Sequence, residues 1–155
     1  MQTISTAHFG DMAYNPEKVI TFPLGIPGYP DYTRYLLIAE EGSQDTFYWL
    51  QSIDDSEVAF AMMDVYRVLP HYNPLVDPAD LADLGNFSVG NPLCIYNIVV
   101  VPEDVQQMRV NLRAPVVINM VTGLGKQVVC VGEDYPIRYM IMEELQRARQ
   151  AGGAT

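Results

Sequence analysis

Few side chains in this sequence combine the types and spacing that catalysis or metal binding requires. The two histidines, His8 and His71, lie outside HxxxH and GxSxG patterns. The run GLGKQ, residues 123–127, places a glycine before a lysine but lacks the spacing and the Ser or Thr of a phosphate-binding loop. We therefore predict a hairpin turn at GLGKQ, and for the whole chain no catalytic residue, no cofactor and no metal.

Two acidic segments could instead bind a cation or a basic partner. Three aspartates recur at every third position from Asp77 to Asp83, but a calcium ion usually takes about six to eight oxygen ligands from a folded loop. We interpret these aspartates as a solvated helix face. A second acidic run, at residues 52–57, contains Asp54 and Asp55 and follows a strand signal, which predicts a hairpin loop.

Charge limits the class of partner. The 155 residues include 19 acids and 9 bases, a formal net charge of −10, so a nucleic-acid backbone and an anionic membrane surface would both repel the protein. We expect basic or apolar partners, no direct nucleic-acid binding and no membrane binding. The alternative that the acids serve only solubility stays open.

Cysteine usage and hydropathy indicate the compartment. Cys94 and Cys130 each lie inside an apolar run, a position typical of buried free thiols in a reducing compartment. The chain opens with no basic, apolar leader, and no apolar run approaches the ~20 residues that span a bilayer. We therefore expect a cytoplasmic protein.

Strand signals dominate the elements that must position any site. Short runs of β-branched and aromatic residues are separated by Gly, Pro, Asn and Asp, the rhythm of an antiparallel barrel or sandwich. In FYWLQSI, residues 47–53, both faces are partly apolar, which predicts a central strand. The predicted strands cover residues 3–7, 12–14, 19–22, 35–39, 47–52, 58–63, 93–101, 109–112, 115–120 and 127–131.

Helix signals occur in two segments. Asp77 can cap a helix, Pro78 suits its first position and Gly85 permits a left-handed end, which together predict a short helix over 78–84. A second helix is predicted over about 141–150, ended by the two glycines that follow it.

These elements predict a single-domain, all-β fold. We expect a mainly antiparallel, β-barrel-like domain in residues 1–140 that includes the one short helix. A C-terminal helix and a flexible tail are expected in residues 141–155.

A loop rich in proline and glycine has the most distinctive local chemistry. Residues 20–32, ITFPLGIPGYPDY, hold five prolines and glycines between positions 23 and 30. Proline fixes φ and glycine permits its reversal, so this loop is pre-bent and loses little entropy on ordering. Its apolar residues could be displayed to a partner or could plug one end of a barrel, and both alternatives stay open.

Six short motifs occur in one order along the chain. They are ITFPLGIPGYPDY, FYWLQSIDDSEVAFAMMD, NIVVVPED, RVNLRAPVVIN, GKQVV and YPIRY. In this register, over about residues 1–139, the chain resembles the FliW family of flagellar assembly factors. Ser56 and Val65 depart from the prolines expected in many relatives, and the helix after Tyr139 resembles an extension of the family's domain.

The resemblance implies a non-enzymatic, β-barrel-like antagonist. A FliW-like protein binds the RNA-binding translational regulator CsrA and also binds newly made flagellin, and the two partners compete for it. Accumulated flagellin would thus free CsrA and repress flagellin translation, whereas export of flagellin would reverse the effect. CsrA-like proteins present basic surface, which an acidic protein would attract.

For the partner-binding surface we predict an acidic turn, apolar contacts from the proline-rich loop and two polar residues on the wet side of strands. The predicted residues are Asp54, Asp55, Glu57, Ile26, Tyr29, Asn111 and Asn119. Two other functional classes stay open. A small-ligand-binding β-barrel protein would need a roomy interior, and an acidic nucleic-acid mimic would need acids in phosphate-spaced rows on one face.

Overall fold

The computed structural model describes residues 2–132 and 134–153, and for residues 151–153 it describes the backbone alone. Within these residues the chain forms eleven strands and two α-helices. The strands are β1 (Gln2–Thr6), β2 (Gly10–Tyr14), β3 (Ile20–Thr21), β4 (Arg34–Ala39), β5 (Phe47–Ser52), β6 (Ala59–Met63), β7 (Cys94–Val100), β8 (Arg109–Val110), β9 (Val116–Asn119), β10 (Leu124–Gln127) and β11 (Tyr139–Met140). The helices are α1 (Pro78–Leu81), which continues as a 3₁₀ turn over Ala82–Leu84, and α2 (Met142–Gly153). Further 3₁₀ turns cover Pro16–Lys18, Val65–Arg67 and Val105–Gln107.

Seven of the described strands close into a barrel. Their order is β7, β6, β5, β4, β3, β10 and β9, and β9 pairs back with β7. Neighbouring strands are antiparallel except β3 and β10, which are parallel with Thr21 opposite Leu124. The predicted mainly β, barrel-like fold with a short helix and a C-terminal helix is confirmed, and the parallel pair makes the barrel mixed.

Large side chains fill the barrel because inward and outward positions alternate along each strand. Tyr35, Leu50 and Met62, from β4, β5 and β6, are fully buried together with Phe22 and Ile118. β5 lies between β4 and β6, which confirms the central position predicted for FYWLQSI. An interior packed with such residues leaves little room for a ligand.

Two further hydrophobic clusters pack outside the barrel. Beneath α2, Ile141 and Leu145 are buried with Val99 of β7. Beneath α1 and its 3₁₀ turn, Leu84 is buried with Val117 of β9. Each helix thus covers an apolar outer face of the sheet that would otherwise meet water.

β7 has one edge that two strands share, and this edge extends the sheet beyond the barrel. β9 pairs with the first half of β7 and β8 with the second half. β11 then pairs with β8. The sequence did not predict β11, because a strand of two residues shows no readable alternation.

α1 begins and ends where the sequence predicts. The side chain of Asp77 accepts a hydrogen bond from Ala79 N at 3.0 Å, and Pro78 occupies the first helical position. After the 3₁₀ turn, Gly85 adopts a φ of 84°. Local capping chemistry therefore sets both ends of this helix.

The hairpin after β9 corrects one prediction. GLGKQ was predicted to be a turn, but residues 124–127 form β10 and the turn lies at residues 120–123. The strand predicted over 127–131 is wrong except at Gln127, the last residue of β10. Val128 N still donates to Pro115 O at 3.0 Å. Pairing with the adjacent β9 and with β3, about a hundred residues earlier in the chain, draws residues 124–127 into the sheet. The two glycines of GLGKQ carry no signal of this pairing.

α2 also differs from its predicted length. It continues through Gly153, three residues beyond the predicted end, so the glycines at 152 and 153 do not stop it. The first part of the helix is buried at Leu145. Of the predicted flexible tail, Ala154 and Thr155 lie outside the described residues.

Gly125→Ala is expected to destabilise the barrel. A Cβ at this position would lie 2.6 to 2.9 Å from three atoms of the Phe22 ring. Because overpacking a core typically costs about 1–3 kcal/mol, we expect the free energy of unfolding to fall by that amount. Gly90→Ala is the control, since its nearest neighbouring atom would lie 3.9 Å away. Urea denaturation compares the two variants, and equal stabilities would contradict the close packing of Phe22 on β10.

Candidate partner-binding surface

The loop between β3 and β4, residues 22–33, both closes the barrel and presents side chains to water. Phe22 and Ile26 are buried in the barrel core, whereas Leu24 and Tyr29 are 68% and 41% exposed. The loop therefore does both things that the sequence left open: it plugs one end of the barrel, and it displays apolar side chains to water. Ile26, predicted to contact a partner, is 2% exposed and anchors the loop from inside.

Close contacts hold this loop in one conformation. Gly25 has a φ of 68°, and a Cβ there would lie 2.6 Å from Tyr29 O. Tyr29 N donates to Ile26 O at 2.7 Å. The Tyr29 ring meets the Phe60 ring edge-on, with 5.3 Å between centroids. The exposed side chains are therefore presented from an ordered backbone, which lowers the entropy cost of binding.

Asp54 ties the acidic turn after β5 to the far end of the loop. Its Oδ2 accepts from Thr33 N and Arg34 N at 2.9 and 3.1 Å, and its Oδ1 accepts from Arg34 Nε and Nη2 at 3.1 and 2.7 Å. Desolvation raises the pKa of Asp54, but the hydrogen bonds from Arg34 and Thr33 outweigh it and hold this pKa below the usual value. The carboxylate predicted to meet a partner is thus engaged within the chain.

Asp55 makes a second tie from the same turn. Its Oδ2 accepts from the Tyr32 hydroxyl at 3.0 Å, and its Oδ1 accepts from Glu57 N at 3.0 Å. The hydrogen bond to Asp55, together with its negative charge, raises the pKa of Tyr32. Glu57 is exposed, and its carboxylate forms no hydrogen bond or ion pair with the described residues. Of the three predicted acids, Glu57 is therefore the one available to a partner.

These contacts create one surface, which we call the loop ledge: Leu24, Tyr29, Tyr32 and Glu57. Tyr29 and Tyr32 stack with 6.1 Å between ring centroids, and Leu24 precedes Gly25, whose backbone packs against the backbone of Tyr29. The ledge has an apolar and aromatic centre with an acid at its edge. This arrangement, an apolar centre with a polar rim, is typical of protein–protein interfaces.

Asn111 lies away from the ledge, at the break between β8 and β9. It is half-buried, and its Oδ1 accepts from Arg113 N and Ala114 N at 3.1 and 3.0 Å. Its backbone carbonyl accepts from Asn97 Nδ2 at 2.8 Å. The side chain predicted to face a partner instead caps the turn that separates the two strands.

Asn119 is fully buried at the end of β9. Its Nδ2 donates to Leu84 O and Asn86 O, both at 3.0 Å. Its Oδ1 accepts from Val121 N and Thr122 N at 3.1 and 3.2 Å. These internal hydrogen bonds use both ends of the amide, so Asn119 supports neighbouring segments rather than facing solvent.

The structure therefore brings most of the predicted site residues together and separates two. Those that meet at or beneath the loop ledge are Ile26, Tyr29, Asp54, Asp55 and Glu57. The predicted site residues did not include Leu24 and Tyr32 of the ledge, or Arg34, which pairs with Asp54. Arg34 is one of three bases before Met108, and this scarcity of bases among many acids was the signal that it would pair with one of them.

The other functional classes gain little support from the described residues. Within them, no group of three or more His, Cys, Asp or Glu side chains could hold a metal ion. A groove of about 420 Å³ lies between α2 and residues 42–47, outside the filled barrel. Across residues 2–132 and 134–153, no helix combines the length and apolarity that crossing a bilayer requires.

Cys94 and Cys130 are free thiols, and burial raises the pKa of each.

Comparison with known proteins gives one consistent result. The family model described as FliW protein matches residues 3–141. The flagellar assembly factor FliW of Alkaliphilus metalliredigens is 36% identical over 152 residues, which cover 98% of this chain and 93% of the relative. That of Thermoanaerobacter pseudethanolicus is 38% identical over 145 residues, with 94% and 96% coverage. A crystal structure of the flagellar assembly factor FliW superposes with a TM-score of 0.80 at 26% identity, covering 90% of this chain and 96% of that one.

Asp54→Asn is expected to lower the free energy of unfolding by about 1 kcal/mol at neutral pH, because it removes the charge that attracts Arg34 at a partly exposed site. The pKa of Asp54 is lowered by folding, so its carboxylate stabilises the protein above the usual Asp pKa. This contribution is lost as pH falls through the folded-state pKa, and the two proteins should then converge in stability. Urea denaturation at neutral and acidic pH measures the difference.

Glu57→Gln is the matched control for this measurement. It removes one acid from the same turn without removing a described side-chain contact, so we expect stability to change by less than about 0.5 kcal/mol. Equal stabilities for Asp54→Asn and Glu57→Gln at neutral pH would show that Asp54 does not clamp the loop.

Proposed function

The chain belongs to the FliW family of flagellar assembly factors, a non-enzymatic family, and we propose that it acts by occupancy on two partners. One partner is a CsrA-like translational regulator and the other is flagellin. Each excludes the other, so accumulated flagellin releases the regulator and represses flagellin synthesis. Export of flagellin frees the protein to capture the regulator again. Both partners meet it in the cytoplasm.

The observation that carries this proposal is the loop ledge, an ordered apolar surface with an acid at its edge. We place Leu24, Tyr29 and Glu57 in contact with partners, because each is exposed. The other predicted residues act from within the fold. They anchor the loop or cap turns, and they are Ile26, Asp54, Asp55, Asn111 and Asn119.

Typical interaction energies indicate what apolar and charged groups each contribute to binding. A nanomolar complex needs about 12 kcal/mol of binding free energy, whereas an exposed ion pair contributes only about 0–1 kcal/mol. Apolar contact at the ledge must therefore provide most of the affinity. The net charge of −10 raises the rate of encounter with a basic regulator and disfavours nucleic acid.

Flagellin fits the same surface through apolar contact. An amphipathic helix of unassembled flagellin leaves a hydrophobic face in water, and such a face binds exposed aromatic and aliphatic anchors. The ordered backbone around Gly25 and Tyr29 offers these anchors at low entropy cost. An acidic nucleic-acid mimic fits less well, because Asp54 and Asp55 are engaged by Arg34 and Tyr32.

A flagellin peptide that contains the C-terminal helix is expected to compete with the CsrA-like regulator for the purified protein. The physical reason is that both bury the same apolar ledge. Titration of the peptide into the preformed complex, followed by size-exclusion chromatography or calorimetry, should release the regulator stoichiometrically. A ternary complex with both partners bound at saturation would contradict exclusion.

Leu24→Ala is expected to weaken binding of both partners by about fivefold or more, because truncating an apolar contact at an interface centre commonly costs more than 1 kcal/mol. Val129→Ala is the control, since Val129 is similarly exposed, at 61% against 68% for Leu24, and lies outside the ledge. Calorimetric dissociation constants for both variants provide the measurement. If Leu24→Ala and Val129→Ala bind alike, the ledge is not the contact surface.

A further inference from the structure

A second surface, which shares no residue with the loop ledge, presents apolar side chains to water. It consists of the turn between β9 and β10 and the segment at residues 86–91, which follows α1. Met120 is 50% exposed, Val121 75%, Phe87 47%, and Val89 is fully exposed. We call these four residues the apolar tips. Adjacent apolar side chains of this size are seldom left in water unless they meet another molecule.

A hydrogen-bond network beneath the tips holds their two segments side by side. Asn119 bridges them through Asn86 O on one side and Val121 N on the other. Thr122 Oγ1 donates to Leu84 O at 2.9 Å. Gly85, at a φ of 84°, lies so close to Thr122 that a Cβ would be 2.7 Å from the Thr122 methyl carbon.

The segment at residues 86–91 is also closed on itself. Ser88 N donates to Asn91 O at 3.0 Å and Asn91 N donates to Ser88 O at 3.1 Å. The Asn91 side chain donates to Asn86 O at 3.2 Å. Beneath these segments lies the buried cluster that includes Leu84 and Val117. The apolar tips therefore stand on a fixed base, and their immobilisation costs little on binding.

Acids outnumber bases beside the tips. Residues 77–92 contain three aspartates and no lysine or arginine. Lys126 Nζ approaches Asp83 Oδ2 at 3.3 Å and Asp80 O at 3.0 Å, so it partly neutralises Asp83. Within the described residues, the carboxylates of Asp77 and Asp80 form no ion pair. Leu84, at the end of this helical segment, accepts a hydrogen bond from Thr122 of the β9–β10 turn, so the segment that carries the three aspartates adjoins the tips.

We infer that the apolar tips and the α1 aspartates form a second docking surface for a basic protein with an apolar centre. This inference rests on the proposed function, because its occupant is the basic CsrA-like regulator. The regulator contacts both this surface and the loop ledge, whereas the flagellin helix uses the ledge alone. A second copy of the chain is a poorer occupant, because it would bring the same aspartates and a net charge of −10 against them.

The test compares two double variants. The first combines Phe87→Ala with Val121→Ala, and the second, the control, combines Val129→Ala with Val131→Ala. The control valines are 61% and 60% exposed and lie outside the tips. Calorimetry with the purified CsrA-like regulator should show a dissociation constant about 30-fold or more higher for the first double variant and unchanged for the second. Affinity for the C-terminal flagellin peptide should be unchanged in both.

A charge variant tests the acidic rim separately. Asp77→Asn combined with Asp80→Asn keeps a side chain that can cap Ala79 N, so the helix should persist. Stopped-flow association with the regulator should slow several-fold at low salt and lose part of its salt dependence. Unchanged kinetics at every salt concentration would overturn the role assigned to these aspartates.

The outcomes separate this inference from the function proposed above. Wild-type protein that binds the regulator, with the tip variant binding equally well, overturns the second surface and leaves the proposed function standing. Wild-type protein that binds neither partner contradicts the proposed function and this occupant together. Wild-type protein that self-associates through the tips, with the tip variant monomeric, assigns the surface to a second copy and overturns the inference.

Discussion

The contact between Phe22 and Gly125 is the constraint on which the rest of the structure depends. β3 and β10 meet as the one parallel pair among the described strands, and the Phe22 ring fits because Gly125 has no Cβ. That contact completes the barrel core and also starts the loop that ends at Arg34. Phe22 and Ile26 bury their side chains inside, so Leu24 and Tyr29 must face out. The proposed partner surface is therefore a consequence of how the barrel is filled.

Several elements could be predicted from local chemistry. The ends of α1 follow from Asp77, Pro78 and Gly85, and the place of β5 follows from the two apolar faces of FYWLQSI. β10 could not be predicted in this way. Its run GLGKQ contains two glycines and becomes a strand only through pairing with β3 and β9. The pairing with β3 joins segments about a hundred residues apart in the chain, as between Thr21 and Leu124, and no local pattern records it.

Some features of the candidate site could likewise be predicted from local chemistry, and others could not. Residue type and position near turns directed attention to Tyr29 and to the acids after β5, which the structure places at or beneath the loop ledge. The same reasoning placed Asn111 and Asn119 on wet faces, where alternation indicates polar side chains. The structure covers Asn119 with the segment after α1 and turns Asn111 into a cap. Which segment covers a strand face depends on residues far away in the chain. A polar residue at a strand end can therefore either face a partner or form hydrogen bonds inside the protein.

The fold is also needed to decide which surfaces carry the net negative charge. Composition gives −10, but acids engaged by internal partners contribute little to attraction beyond their own pair. Asp54 is paired with Arg34 and holds the loop, whereas the carboxylates of Asp77 and Asp80 form no ion pair with the described residues. Unpaired negative charge therefore lies on the helical segment that is bonded to the β9–β10 turn. On the proposed function, a partner with basic surface gains from both this segment and the ledge, whereas an apolar helix gains from the ledge alone. That difference is how the domain would treat its two proposed partners unequally while they still exclude each other at the ledge.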